Sequence, residues 1–323
     1  MPHSDAADAG QSGKSRLRWW TELPLLVLVY AFYTAGRLLA RGDESTAVEH
    51  GLAILDLEKA LRINAEHPLN RLFRNEIWIG VPADFWYASL HYVVTPALLV
   101  WVFRRRKEYY RWARTWLMSS TVIGLIGFTL MPTCPPRLLD KKYGFLDTMA
   151  QYSDYGWWGG EASAPRGMSG MTNQFAAMPS LHVGWALWCG VILWYLGRGR
   201  LSKAAAVVYA LGTTIVVMGT ANHYFLDAVA GAATMGLGLL VTRPVLRLAQ
   251  KVRVRVQERF APATVTAPVA APSSAIVGAK CQTSAGERIP GQRQEAQQPT
   301  AGPADRGADS EEAAGESAPA AAR

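Results

Sequence analysis

Three short segments hold the residues whose types and spacing could do chemistry: 132–139 with Arg137, 178–185 with Ser180 and His182, and 220–227 with Asn222, His223 and Asp227. His223 and Asp227 are four positions apart, which on a helix places them on one face with side chains in reach. A carboxylate bonded to one imidazole nitrogen fixes the tautomer, turns the other lone pair outward and stabilises the cationic adduct formed on attack. That is the arrangement of a nucleophilic histidine. The competing reading is a buried His–Asp pair that only ties helices together.

His182 follows Pro179 and Ser180, and these residues can open and cap a helix. Exposed N–H groups at such a helix start favour a bound anion, and a histidine there can give a proton to a departing oxygen. Alone, His182 reads equally well as a packing histidine. Arg137 follows two prolines, a stiff turn that would hold a guanidinium in place to fork onto phosphate oxygens. An isolated arginine at the end of an apolar run is more often an anchor. Lys141, Lys142 and Arg166 add positive charge to the same connection and suggest an anionic substrate. Two histidines and an aspartate could bind zinc, but no His-Glu-x-x-His helix or carboxylate-rich cluster accompanies them, so neither metal nor cofactor is expected.

The elements that must position these residues read as membrane spans. Charged residues make up 18% of the chain, below the roughly 25% usual for soluble domains, and they cluster between long apolar runs. Six runs, about 23–39, 81–103, 112–131, 181–197, 204–221 and 224–246, have the length and character of transmembrane helices. The expected fold is an all-α polytopic helix bundle with six transmembrane helices. The net charge of +8 does not point to nucleic acid, because the basic residues sit at span ends instead of on one face. Twelve tryptophans, several near the ends of the runs, fit anchoring at membrane interfaces. Cys134, Cys189 and Cys281 have no metal or redox spacing.

Lys and Arg concentrate before span one and after spans two, four and six, so both ends of the chain are expected in the cytoplasm. All three chemical segments then face the opposite, extracytoplasmic side of a plasma membrane. The polar start has no secretory-signal pattern, so the first run is expected to remain as an anchor. In the first outer connection, Thr46 with Glu49 resembles a capping box. Val48, Leu52 and Leu55, with Ile54 and Leu61, would form an apolar stripe, leaving Glu49, Asp56, Glu58 and Lys59 largely elsewhere. Such a helix lies at the membrane interface or caps the protein itself. Residues 260–323, rich in Ala, Pro, Gln, Gly, Ser and Glu, are expected to be a disordered cytoplasmic tail. The domain plan is a cytoplasmic segment 1–20, a membrane domain 21–247 and that tail.

Pro135-Pro-Arg137-Leu-Leu, Pro179-Ser-Leu-His182 and His223-Tyr-Phe-Leu-Asp227, in that order, resemble the signature of the type 2 phosphatidic acid phosphatase superfamily. The resemblance extends to the branch that includes fungal inositol phosphorylceramide synthase, and covers roughly residues 20–247. It implies that His223 attacks phosphorus, Asp227 orients it, His182 protonates the leaving group, Arg137 holds phosphate oxygens and no metal takes part. The chain departs from the broad pattern where that pattern has a lysine and a proline around the first arginine, here Leu130 and Leu138. It departs again where the pattern has Ser-Arg before the nucleophile, here Val216 and Val217. Phosphate must then rely on Arg137, Arg166 or the adjacent lysines, the helix start at Ser180, and Thr220 or Asn222. His91 lies inside the second span, a costly place for an ionisable group. It reads either as lining a headgroup cavity or as a neutral histidine bonded between helices.

The expected function is phosphoryl transfer from a phospholipid or polyprenyl-type lipid phosphate through a phosphohistidine, of the inositolphosphotransferase kind. Hydrolysis to free phosphate is one alternative. A transporter or scramblase that binds headgroups without chemistry is another, although no Gly/Pro-broken helix pair is evident.

Overall fold

The computed structural model describes residues 43–158 and 173–260, with scattered helical positions between 19 and 35. Most of the first expected span, the stretch 159–172 with Arg166, and the tail beyond 260 lie outside the described residues. Every described residue belongs to one compact unit. Eight helices are described: α1 (Glu44–Leu61), α2 (Glu66–Asn75), α3 (Ile77–Arg105), α4 (Lys107–Leu130), α5 (Thr148–Gln151), α6 (Leu181–Leu196), α7 (Gly199–Gly219) and α8 (Phe225–Phe260). No strand occurs among the described residues, only an isolated bridge between Thr133 and Ala176.

Among the described residues, three helices, α3, α7 and α8, are long and apolar enough to cross a membrane. This is fewer than six, for reasons visible in the residues. The apolar α6 has 16 residues, about 24 Å at ~1.5 Å per residue against a hydrocarbon core of about 30 Å. In α4, Lys107, Glu108, Arg111 and Arg114 fill the opening turns. The first expected span is mostly undescribed.

α8 packs on α4 and α6, and α6 on α7. Indoles lock these contacts: Trp116 donates to the Met235 carbonyl at 2.8 Å and Trp188 to the Ala113 carbonyl at 3.1 Å. The tryptophans therefore divide. Trp116, Trp158 and Trp188 are core residues, while Trp19, Trp20 and Trp78 are exposed as interface anchors would be. In α3 the ladder widens into a π-helical turn over Trp86–Leu90, immediately before His91. Such turns are frequent at functional sites.

α1 corrects two expectations. Its cap is Asp43, whose carboxylate accepts from the Thr46 N–H at 3.3 Å, so Thr46 is inside the helix and is not its cap. Its buried face is Ala47, Gly51, Ile54, Leu55 and Glu58, a spacing of 4, 3, 1 and 3 that makes one stripe. Glu58 thus belongs to the inward face, and Leu61 is exposed. The helix caps the protein itself. A Cβ on Gly51 would lie 2.6 Å from the Cys134 carbonyl and 2.9 Å from the Tyr224 hydroxyl, so α1 rests directly on two of the chemical segments.

Candidate active site

The third segment is a tight turn between α7 and α8. Ala221 takes a left-handed conformation (φ 55°), and the Val217 carbonyl accepts from both the Asn222 and His223 N–H groups at 3.1 Å. α8 begins at Phe225, so His223 precedes the helix and only Asp227 is within its first turn. Asp227 Oδ2 accepts from the Tyr224 N–H at 2.9 Å, the backward half of a capping box. Tyr224 cannot return the favour; its hydroxyl donates to the Cys134 carbonyl at 3.0 Å. Glu58 of α1 supplies the missing acceptor, taking the Leu226 N–H on Oε1 at 2.6 Å.

The other two segments are bonded to this turn through backbone. Arg137 N–H donates to the Ala221 carbonyl, and Ser180 N–H to the Asp227 carbonyl, each at 2.9 Å. A Cβ on Gly231 would stand 2.2 Å from the Ser180 carbonyl oxygen, so only glycine lets the starts of α6 and α8 meet this closely. Ser180 caps α6, its hydroxyl accepting from the Val183 N–H at 3.4 Å. His182 then lies in the first turn with its ring centroid 5.7 Å from that of His223.

His223 Nδ1 lies 3.4 Å from Asp227 Oδ2. This is ion-pair range without hydrogen-bond geometry, and Asp227 Oδ1 is buried with no donor. The arrangement directs Nδ1 toward the carboxylate, so that Nε2 is the nitrogen turned away from it.

Arg137 is held on two sides: Nε donates to Asn222 Oδ1 at 2.8 Å and Nη1 to Asp147 Oδ2 at 3.0 Å. Asn222 in turn donates to Thr220 Oγ1 at 2.9 Å. Asn222 therefore braces the arginine, and the buried Ser180 hydroxyl is engaged as a cap. Lys141 and Lys142 are exposed, and Arg166 is outside the described residues. Where the resemblance expects further cations, Leu130 is an exposed apolar residue at the end of α4 and Val217 is fully buried.

His91 meets His182 edge to face at 4.5 Å, and Tyr87 stacks on the same imidazole at 4.5 Å. These rings, with Trp86, Leu90, Tyr209, Thr213 and the two valines 216 and 217, line a narrow open recess beside His182. His91 thus packs on the proton donor proposed by sequence.

Sequence reasoning missed Tyr87, Asp147 and a buried carboxyl pair, Glu58 and Glu66. Glu66 opens α2, and both glutamates are fully buried behind Asp227. Burial pushes the Glu58 carboxyl up to about 8, with Glu66 and Asp227 adding to the rise. Burial raises Glu66 too, again with Asp227 beside it. The 47/51/54/55/58 spacing could have revealed Glu58. Nothing local marks Glu66, and Asp147 is marked only as the cap of α5, its Oδ1 accepting from the Ala150 N–H at 3.1 Å. Among the described residues, no group of three or more His, Cys, Asp or Glu has a metal-binding arrangement.

A family profile of the PAP2 superfamily matches residues 52–241, a stretch that takes in all three segments and most of α1. The chain belongs to the PAP2 superfamily. Membership carries a phosphatase-type activity, a lipid phosphate substrate and membrane association. No curated protein and no solved structure matches the chain.

Proposed function

We propose that the protein is an integral membrane phosphotransferase that moves a phosphoryl group from a phosphorylated lipid through a phosphohistidine on His223. The observation that carries this reading is the pair of backbone bonds that ties Arg137 and Ser180 to the His223 turn, with His182 and His223 5.7 Å apart. A phosphorus atom between two such rings meets a nucleophile on one side and a proton donor on the other.

In the first step His223 Nε2 attacks phosphorus and the P–O bond to the lipid breaks, while His182 gives its proton to the leaving oxygen. In the second step an acceptor hydroxyl gives its proton to His182 as its oxygen attacks phosphorus, and the P–N bond breaks. Asp227 keeps Nδ1 turned inward and balances the imidazolium charge. Arg137, stiffened by Asn222 and Asp147, presents its guanidinium to the phosphoryl oxygens.

Transfer to an alcohol, of the inositolphosphotransferase kind, is favoured over hydrolysis by the departures from the phosphatase pattern at Leu130, Leu138, Val216 and Val217. The active site is assigned to the extracytoplasmic face of the plasma membrane from the Lys and Arg distribution. Radiolabelled lipid phosphate incubated with and without candidate polyols separates the two reactions. A labelled polyol phosphate supports transfer; free phosphate as the sole product under every condition overturns it. His223→Gln should show no turnover, and full activity in that variant would sink the mechanism.

A further inference from the structure

Glu58 and Glu66 come from different helices and meet behind the nucleophile's aspartate, each with 0% of its surface exposed. Glu58 Oε1 has the Leu226 N–H, Glu58 Oε2 has no donor, and the Glu66 oxygens are approached only by the backbone N–H groups of Glu66 itself and Phe225, outside full hydrogen-bond geometry. The two carboxyl groups lie close enough to act on each other's ionisation, and the free oxygens of both are buried. The titratable groups facing them are Asp227 and Tyr224 on the turn, with Cys134 on the loop behind Tyr224. None is a cation. Lys59, next in sequence, turns outward to Asp56 at 3.6 Å, and Arg137 is engaged by Asp147.

Of these three buried carboxylates only Asp227 has a partner that can carry positive charge, in His223 at 3.4 Å, so Glu58 and Glu66 would repel each other and Asp227 in a low-dielectric interior. A single proton between Glu58 and Glu66 removes most of that conflict and gives the orphaned oxygens a partner. We propose that Glu58 and Glu66 are positioning residues that share one proton, and that this proton holds the turn carrying His223 and Asp227 in its reactive geometry, so that losing it switches the enzyme off at alkaline pH. The inference rests on His223 being the nucleophile.

The mechanical link is short. Glu58 holds the second N–H of α8, and Asp227 lies one residue further along the same helical turn. When the pair loses its proton, two adjacent charges face Asp227. Relief comes from separating α1 or α2 from the start of α8, which moves Asp227 away from His223. Because the Glu58 carboxyl is raised from its ordinary 4.5 to about 8, the pair holds its proton at neutral pH and gives it up to solvent as pH rises through about 8.

The test is the pH dependence of kcat for the full chain in vesicles containing radiolabelled phosphatidic acid, measured from about pH 6 to about pH 10. Substrate ionisation is common to all variants, so differences between them belong to the protein. Wild type should lose roughly tenfold or more across the alkaline limb. Glu66→Gln, whose amide permanently supplies the donor, should keep neutral activity within about threefold and lose that limb. Glu58→Gln should do the same, since its amide oxygen still accepts from Leu226. A folded variant that keeps the wild-type limb overturns the proposal, whereas a purely structural role would lower activity evenly across pH. Should neither variant fold, the infrared carbonyl stretch of a protonated carboxyl decides, recorded in an Asp84→Asn background because Asp84 is also fully buried. That band must be present at neutral pH and vanish on alkalinisation; its absence overturns the proposal. Activity in His223→Gln would instead strike at the phosphohistidine reading.

Discussion

At the scale of single residues, the 3.4 Å separation of His223 Nδ1 and Asp227 Oδ2 makes charge the main contribution of Asp227. Asp227→Asn keeps an acceptor for the Tyr224 N–H, so the turn should survive while the imidazolium loses its counter-charge. We expect kcat to fall by roughly 10²- to 10⁴-fold with an unchanged circular dichroism spectrum; wild-type kcat would remove Asp227 from the mechanism. Arg137→Lys preserves charge but loses the fork that Asn222 and Asp147 hold. Each charge-assisted bond is worth about 1.5–3 kcal/mol, so kcat/KM should drop by roughly 10- to 100-fold. Steady-state kinetics on vesicles reads both.

At the scale of elements, the site depends on how closely α6 and α8 begin. Gly231→Ala places a methyl 2.2 Å from the Ser180 carbonyl, which must push the His182 helix away from the His223 turn. A stability loss of about 1–3 kcal/mol should accompany loss of most activity, measured by thermal unfolding and turnover in parallel. The carboxyl pair makes a second statement at this scale. A carboxyl raised in the folded state contributes stability that is fully present below about 4.5 and is lost as pH rises through about 8. The wild-type Tm should therefore fall across that window, and Glu66→Gln should flatten the decline. How much of this could be read from sequence varied with the range of the signal. The Pro-Ser-Leu-His helix start and the four-residue spacing of His223 and Asp227 are local patterns, and they led directly to residues that lie together. Glu58 was assigned to the polar side because charge outweighed spacing, although its register with Ala47, Gly51 and Leu55 put it inward. Tyr87 and Glu66 act through partners far along the chain and Asp147 through Arg137 ten residues before it, and no local pattern encodes such pairings. The six-span expectation rests on apolar content; among the described residues three helices also meet the length and charge that a crossing needs, and α4 and α6 fall short of one or the other.

At the scale of the whole molecule, the proposed topology has the three segments facing outward and the α6–α7 turn inward. With Cys134 and Cys189 buried and Cys281 replaced by serine, single introduced cysteines report this. Lys142→Cys should react with a membrane-impermeant maleimide in intact cells, and Arg200→Cys only after permeabilisation; the reverse pattern would invert the topology. The central claim concerns where the phosphoryl group rests between donor and acceptor, and it is tested most directly by rapid quenching. Protein mixed with lipid labelled in its phosphate, quenched in alkali to preserve phosphohistidine and mapped by mass spectrometry, should carry label on His223, with none bound in His223→Gln. Label on another residue, or continued lipid turnover in His223→Gln without bound label, would contradict the account.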